Sequence, residues 1–171
     1  MKEAVRFGFT LALICVIASG LLAGVNALTQ AKVMAQVQAE QEAGMKEVLP
    51  AVATFEPVKL DDEILYYKGF DRDKKLIGVA FTAIAKGYSS YIETVVGMFK
   101  DGTINAIKVL SQNETPGIGT KVNEPAFLAQ FANRKDTNGI QTITGATISS
   151  KAIIDSVNKK AQQIKELVKN E

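Results

Sequence analysis

Hydrophobic and polar positions change their period several times along this chain. Residues 7–31, FGFTLALICVIASGLLAGVNALTQA, form twenty-five positions without a charge and without a polar face. At about 1.5 Å of rise per residue, a helix of that length exceeds the roughly 30 Å hydrocarbon core of a bilayer. The Phe, Leu, Ile and Val side chains between Phe7 and Leu28 together favour insertion by roughly 3 to 7 kcal/mol. That outweighs Asn26 and the small residues. A water-soluble core helix would ordinarily show one polar face, and a cleaved signal would have a shorter apolar core, although Val25-Asn26-Ala27 has the small-residue character of a cleavage site. The pattern predicts a membrane anchor.

Residues 29–50 then read as a helical stalk rich in Ala, Gln, Glu, Lys and Met, with Met34, Val37, Gln41, Met45 and Val48 as a weak stripe. Gly44 interrupts it and Pro50 ends it. The charged positions of this stretch suit a solvated surface.

The next hundred residues move to strand character. ILYYKGF, KLIGVAFTAIAKG, YIETVVGMFK and TINAIKVL are rich in β-branched and aromatic residues, and Asp101-Gly102 marks a hairpin turn between the last two. Residues 124–132, with Pro125 in the first turn, predict a short helix, and GIQTI (residues 139–143) a final strand. After that the period returns to helical, with Ile153, Ile154, Val157, Ala161, Ile164 and Leu167 as the buried stripe. The expected class is α+β, with an N-terminal transmembrane helix and stalk followed by a domain whose antiparallel sheet packs against helices. The boundaries are a short N-terminal segment 1–6, a membrane helix 7–28, a stalk 29–50 and a folded domain 51–171. Lys2 and Arg6 precede the span, so the positive-inside rule keeps the N-terminus cytoplasmic and puts the domain outside.

The junction into the last helix carries the densest chemistry. Residues 142–150, TITGATISS, hold five hydroxyl side chains around Gly145-Ala146. Ser149 or Ser150 is a natural N-cap, which makes residues 144–147 the loop feeding the helix, where unpaired N–H groups attract a phosphate. Gly145 and Ala146 let a ligand approach the backbone closely. Ordinary capping and turn chemistry would use the same residue types. A helix end contributes only about 0.3 to 1 kcal/mol per anion, against roughly 8 kcal/mol for micromolar retention, so the dipole alone does not hold a cofactor.

Composition narrows the chemistry further. The chain has 20 basic and 18 acidic side chains, so there is no strong field to recruit nucleic acid. It has no histidine and one cysteine, which removes serine-histidine and cysteine-histidine catalysis, disulfides and nearly all zinc, copper and haem ligand sets. Cys15 lies inside the apolar span and reads as filler.

Three segments in order carry a family resemblance: KGYSSYIETVVGM, SQNETPGIGTKV and TGATISS. They resemble the Gly-Tyr strand, the Glu-Thr-Pro-Gly-hydrophobic-Gly segment and the [Ser/Thr]-Gly-Ala-Thr signature of the FMN-binding domain in the G subunit of Rnf electron-transport complexes. The C subunit of sodium-translocating NADH:quinone reductases is a related family, and the modest length of this chain suits the Rnf protein better. The resemblance covers essentially the whole chain, including the single N-terminal span.

The resemblance implies FMN joined through its phosphate to Thr147 by a flavin transferase, with Thr144, Gly145, Ala146, Ser149 and Ser150 around it. It also implies flavin contacts from Glu114, Thr115 and Gly117, stacking by Tyr88 and a phosphate or flavin partner in Lys121, although a rigid loop, a core tyrosine and a surface lysine explain these residues nearly as well. The family often has Asp three positions before the [Ser/Thr], where this chain has Gln141, and Asp136 lies five residues further back. The implied role is an electron carrier among integral membrane and iron-sulfur or flavin subunits, moving electrons between ferredoxin and NAD with Na+ or H+ translocation. A C-subunit-like component of a Na+-translocating NADH:quinone reductase, a flavin-free membrane-anchored extracytoplasmic binding or scaffold domain, and a free-standing flavin reductase are the alternatives.

Overall fold

The computed structural model describes residues 2–60 and 63–169. The chain divides into two compact units, Met1–Glu40 and Gln41–Glu171.

The first unit is helical and belongs to α1 (Lys2–Val48). Its apolar side chains are exposed on all sides, as Phe7 at 70% and Leu22 at 72% illustrate. An 18-residue stretch reaches a mean hydropathy of 2.3, so the helix is long and apolar enough to cross a membrane. Thr10 and Thr29 donate their hydroxyls to the Arg6 and Val25 carbonyls at 3.0 and 2.9 Å, which satisfies both groups without water.

The second unit is built on a five-stranded antiparallel sheet, with each strand beside its neighbour in sequence: β1 (Thr54–Leu60), β2 (Glu63–Phe70), β3 (Leu76–Lys86), β4 (Tyr91–Phe99) and β5 (Ile104–Ser111). Four of these follow the expected runs. Edge strand β1 is the one that hydrophobic pattern alone does not reveal, because TFEPVKL carries a proline and two charges. Pro57 pairs opposite Tyr67 at the sheet edge, the place where a strand tolerates a missing N–H. The β4–β5 connection turns through Lys100-Asp101-Gly102, with Gly102 at φ +83° and Asp101 accepting a hydrogen bond from the Thr103 N–H at 2.9 Å.

Alternation along the strands gives the sheet two apolar faces. On one face Ala80 and Val95 meet Met45, Val48, Leu49 and Val52, so the last turns of α1 and the segment after it lie in this core. The helix comes very close: a Cβ at Gly97 would stand 2.5 Å from the Val48 carbonyl oxygen, and one at Gly44 would stand 2.6 Å from a Leu110 methyl. Gly44, a weak spot by helix propensity, is therefore the contact that lets the helix lie on β5. Glu47 and Lys108 form an ion pair across the same contact.

On the other face Val79, Phe81, Ile92, Val96 and Met98 meet Ile153, Val157, Ala161 and Ile164 of α3 (Thr147–Lys169). The α3 stripe continues to Val168 rather than to Leu167, which is exposed. Residues 125–131 are helical as expected but split into one α-turn, α2 (Pro125–Leu128), and a 3-10 turn at Ala129–Phe131. Phe127 and Phe131 stack edge to face there at 5.5 Å.

Residues 139–143 do not form a strand. Their backbone is claimed by a side chain instead: the Gln141 N–H donates to Gln130 Oε1 at 2.8 Å and the Gln130 amide donates back to the Gln141 carbonyl at 3.2 Å. Satisfied in this way, the segment needs no sheet partner.

Candidate functional site

A cavity of about 400 Å³ opens where three segments meet: the β3–β4 turn, the loop after β5, and the start of α3. Its volume lies within the range of small-molecule sites. Tyr88, Ile118 and Ile148 line it while remaining 70%, 51% and 57% exposed. Large apolar side chains held open beside a cavity make a surface suited to a flat aromatic ligand.

The start of α3 departs from expectation in one respect. The helix begins at Thr147, and Ala146 accepts its first bond from the Ser150 N–H at 2.9 Å, so Ala146 occupies the N-cap position and neither serine does. Both hydroxyls are drawn elsewhere. Ser150 accepts from the Ile143 N–H at 3.2 Å and donates to the Ala146 carbonyl at 2.8 Å, stapling the turn of residues 143–146 to the helix. Ser149 donates to Glu114 at 2.6 Å. Alanine has no side-chain oxygen, so the first-turn N–H groups receive no cap from the residue that ordinarily supplies one.

Within that turn Gly145 sits at φ +86° with open space where a Cβ would lie, so its glycine is required by backbone conformation. Ala146 is 3% exposed and packed. Thr147 is the first residue of the helix, exposed and among the lining residues of the cavity.

The loop after β5 is rigid for local reasons. Gly117 at φ +73° donates to Thr120 Oγ1 at 2.9 Å, and the Thr115 carbonyl accepts from the N–H groups of Ile118 and Thr120. This folds Ile118 to the cavity and buries the Glu114 carboxylate. Burial pushes that carboxyl up, but hydrogen bonds from the Ser149 hydroxyl and from the Ser90, Ser89 and Tyr88 N–H groups outweigh it and hold the group below the usual range.

Of the residues singled out from sequence, Tyr88, Glu114, Thr115, Gly145, Ala146, Thr147 and Ser149 all contribute to one cavity. Thr144, Gly117, Ser150 and Lys121 are not among its lining residues. Thr144 stands exposed on the turn, and Gly117 and Ser150 shape the two loops from behind. Sequence reasoning missed Ile118, Gly119 and Ile148. The available signal was that Ile148 falls off the Ile153-Val157-Ala161 stripe, and that Ile118 sits between two loop glycines.

The sequence profile of the FMN-binding domain matches residues 87–162, which include every lining residue of this cavity, and that of the RnfG N-terminal region matches residues 1–48. The G subunit of the ion-translocating oxidoreductase complex of Methanosarcina acetivorans is 33% identical, with 92% of each chain covered. The G subunit of the Na(+)-translocating ferredoxin:NAD(+) oxidoreductase complex of Acetobacterium woodii is 28% identical, covering 98% of this chain and 95% of that one. The C subunit of the Na(+)-translocating NADH-quinone reductase from Parabacteroides distasonis shares the fold at a TM-score of 0.50 and 18% identity, covering 60% of this chain and 61% of its own. An apolar N-terminal helix, a cavity at a Thr-Gly-Ala-Thr turn and full-length similarity converge on one conclusion: the chain belongs to the RnfG family, the G subunits of ion-translocating oxidoreductase (Rnf) complexes.

Proposed function

We propose that this chain is the electron-carrier subunit of a membrane-bound Rnf-type complex, with FMN joined through its phosphate to Thr147. The observation that carries this reading is an exposed threonine, Thr147, lining a cavity beside exposed apolar side chains. The residues present fit the group. Tyr88, Ile118 and Ile148 offer faces for a flat ring, and the uncapped start of α3 favours a phosphate.

FMN, when bound, supplies reversible uptake of electrons one or two at a time. The rest is the work of this chain. Thr147 supplies the oxygen for the ester, whose formation needs an activated flavin dinucleotide donor and a flavin transferase. Gly145 sets the turn that brings the hydroxyl to the rim, and the α3 N–H groups stabilise the remaining phosphate charge. The apolar walls fix the ring and limit water access, which sets its distance to the cofactors of neighbouring subunits.

The relatives' names supply the wider setting. The complex would pass electrons between ferredoxin and NAD and couple that transfer to Na+ or H+ movement, with other integral membrane and iron-sulfur or flavin subunits as partners. The α1 helix anchors the chain in lipid. Lys2 and Arg6 before the span favour a cytoplasmic N-terminus, which places the flavin unit outside. There covalency prevents loss of a cofactor that would otherwise dilute away.

Intact mass of the chain isolated from its own membrane is the test. A mass increase of one FMN less water, lost in Thr147→Ala, is expected. A flavin-fluorescent band that survives denaturing electrophoresis in Thr147→Ala would overturn the acceptor assignment.

A further inference from the structure

Glu114 is the one carboxylate of the cavity wall among the described residues, and it is 4% exposed. Its Oε1 accepts from the Ser89 N–H at 3.0 Å, the Ser90 N–H at 2.9 Å and the Ser90 hydroxyl at 3.3 Å. Its Oε2 accepts from the Tyr88 N–H at 3.2 Å and the Ser149 hydroxyl at 2.6 Å. The Ser90 hydroxyl has the Tyr91 carbonyl as an alternative acceptor at 3.2 Å, but the other four donors already match the roughly four lone-pair directions of a carboxylate.

The surroundings are shaped for this side chain. A Cβ at Gly87 would stand 2.7 Å from Glu114 Oε1, and one at Gly119 would stand 2.6 Å from Glu114 Cβ. Neither position has room for any other residue unless Glu114 moves. The Glu114 carboxylate therefore ties the turn that carries Tyr88 to the first turn of α3, where Ser149 lies two residues beyond Thr147. With its lone pairs taken up within the chain, Glu114 has a task other than the flavin contact that the resemblance implies.

We infer that Glu114 is a positioning residue for flavin attachment, acting through Ser149 to hold Thr147 at a fixed distance from the Tyr88 wall. This rests on the reading of Thr147 as acceptor. In the attachment step the Thr147 oxygen bonds to the flavin-side phosphorus of a flavin dinucleotide, the bond from that phosphorus to the nucleotide leaving group breaks, and the hydroxyl proton passes to a base of the transferase. The chain contributes the oxygen and its position. Displacement of a reacting atom by about 1 Å costs such a step up to roughly a hundredfold in rate.

The experiment uses the full-length chain in detergent, with a flavin transferase and flavin adenine dinucleotide, following intact mass over time at several chain concentrations. Glu114→Ala and Ser149→Ala are expected to lower kcat for attachment by about ten- to a hundredfold while KM for the chain changes little, with each variant's folding checked by its melting curve. Glu114→Gln is expected to keep most of the rate. Its amide oxygen still accepts from Ser89 and Ser90 and its amide nitrogen donates to the Ser149 hydroxyl, which keeps the link to α3, while the Tyr88 N–H loses its acceptor and the Ser149 proton must turn to another.

Wild-type kcat in folded Glu114→Ala would overturn the inference. So would an equal loss in Glu114→Gln and Glu114→Ala, which would make charge rather than geometry the cause. If Glu114→Ala does not fold, Ser149→Ala, which removes a single bond, decides by itself: a normal kcat refutes the role and a lowered kcat supports it. Labelling of Thr147→Ala at the wild-type level would sink the acceptor reading and this inference with it. Failure of the Glu114 and Ser149 variants to differ from wild type, with Thr147→Ala unlabelled, sinks this inference alone.

Discussion

The Asn105 side-chain amide donates to the Val48 carbonyl at 2.6 Å, so a residue of β5 closes the last turn of α1. A helix leaves its final carbonyls without partners, and Val48 is 1% exposed, where water is scarce. Asn105→Ala removes the donor and strands the acceptor. A loss of about 1 to 3 kcal/mol is expected, read as a lower melting temperature in detergent, with flavin content unchanged in the folded fraction.

Thr94 presents the opposite case. It is 1% exposed on the α3 side of β4, and its hydroxyl has no hydrogen-bond partner among the described residues. Thr94→Val replaces that hydroxyl by a methyl of similar shape. Stability should rise by about 1 kcal/mol, a shift of several degrees in Tm, since the cost of burying an unpaired polar group is removed. A fall in Tm would mean that the hydroxyl is satisfied in solution by an ordered water.

Two glycines separate backbone conformation from space. Gly97→Ala sets a methyl 2.5 Å from the Val48 carbonyl oxygen, in backbone that cannot withdraw without pulling α1 off the sheet. Gly145→Ala meets no atom within 4 Å and suffers only from its φ of +86°. Gly145→Ala should cost about 1 to 2 kcal/mol. Gly97→Ala should cost more than that, and melting curves of the two variants side by side check the order.

The acid limb of stability should carry a signature of Glu114. Its folded pKa lies below the ordinary carboxylate value because the Ser149 hydroxyl and three N–H groups favour the charged form more than burial opposes it. Its stabilising contribution is then complete above the unfolded value of about 4.3 and disappears as pH falls through the lower folded value. Glu114→Gln should melt below wild type at neutral pH, and the gap should close as pH is lowered from about 5 toward 3. Parallel curves across that range would show that the two states bind this proton alike.

Gln141 gives a prediction about attachment alone. Its fold contacts run through its backbone to Gln130, and its side chain is exposed. Gln141→Asp introduces the residue type that the family resemblance leads one to expect at this place. Faster flavin attachment with an unchanged Tm is expected, checked by the same intact-mass time course and a melting curve. A slower reaction would show that the transferase does not need a carboxylate there.

Much of this architecture was readable from side-chain order because periodicity and burial agree. Ile153, Val157, Ala161 and Ile164 fall on one helical face and are buried, and four strands fall on the runs rich in β-branched and aromatic residues. β1 escaped because an edge strand with one half-buried face needs little hydrophobicity, and Pro57 reads as a breaker unless the edge is known. Residues 139–143 misled for the converse reason: β-branched side chains suggest a strand, while a distant glutamine had already satisfied the backbone. In the site, the residue types at the α3 junction were legible as a group. The capping roles were not, since Ser149 and Ser150 answer to Glu114 and to the turn, partners that only the folded chain supplies.

The sequential meander has a bearing on how the unit assembles. Every strand pairs with the one made just before it, so the sheet can zip up in the direction of synthesis without waiting for distant segments. Helix α3 alone must arrive from the far end of the polypeptide to cover the β3–β4 face. Thr147, the proposed attachment point, rides on that late arrival. If flavin is attached there, a half-made unit would offer a transferase only a slack loop, and maturation would act as a checkpoint on completed folding.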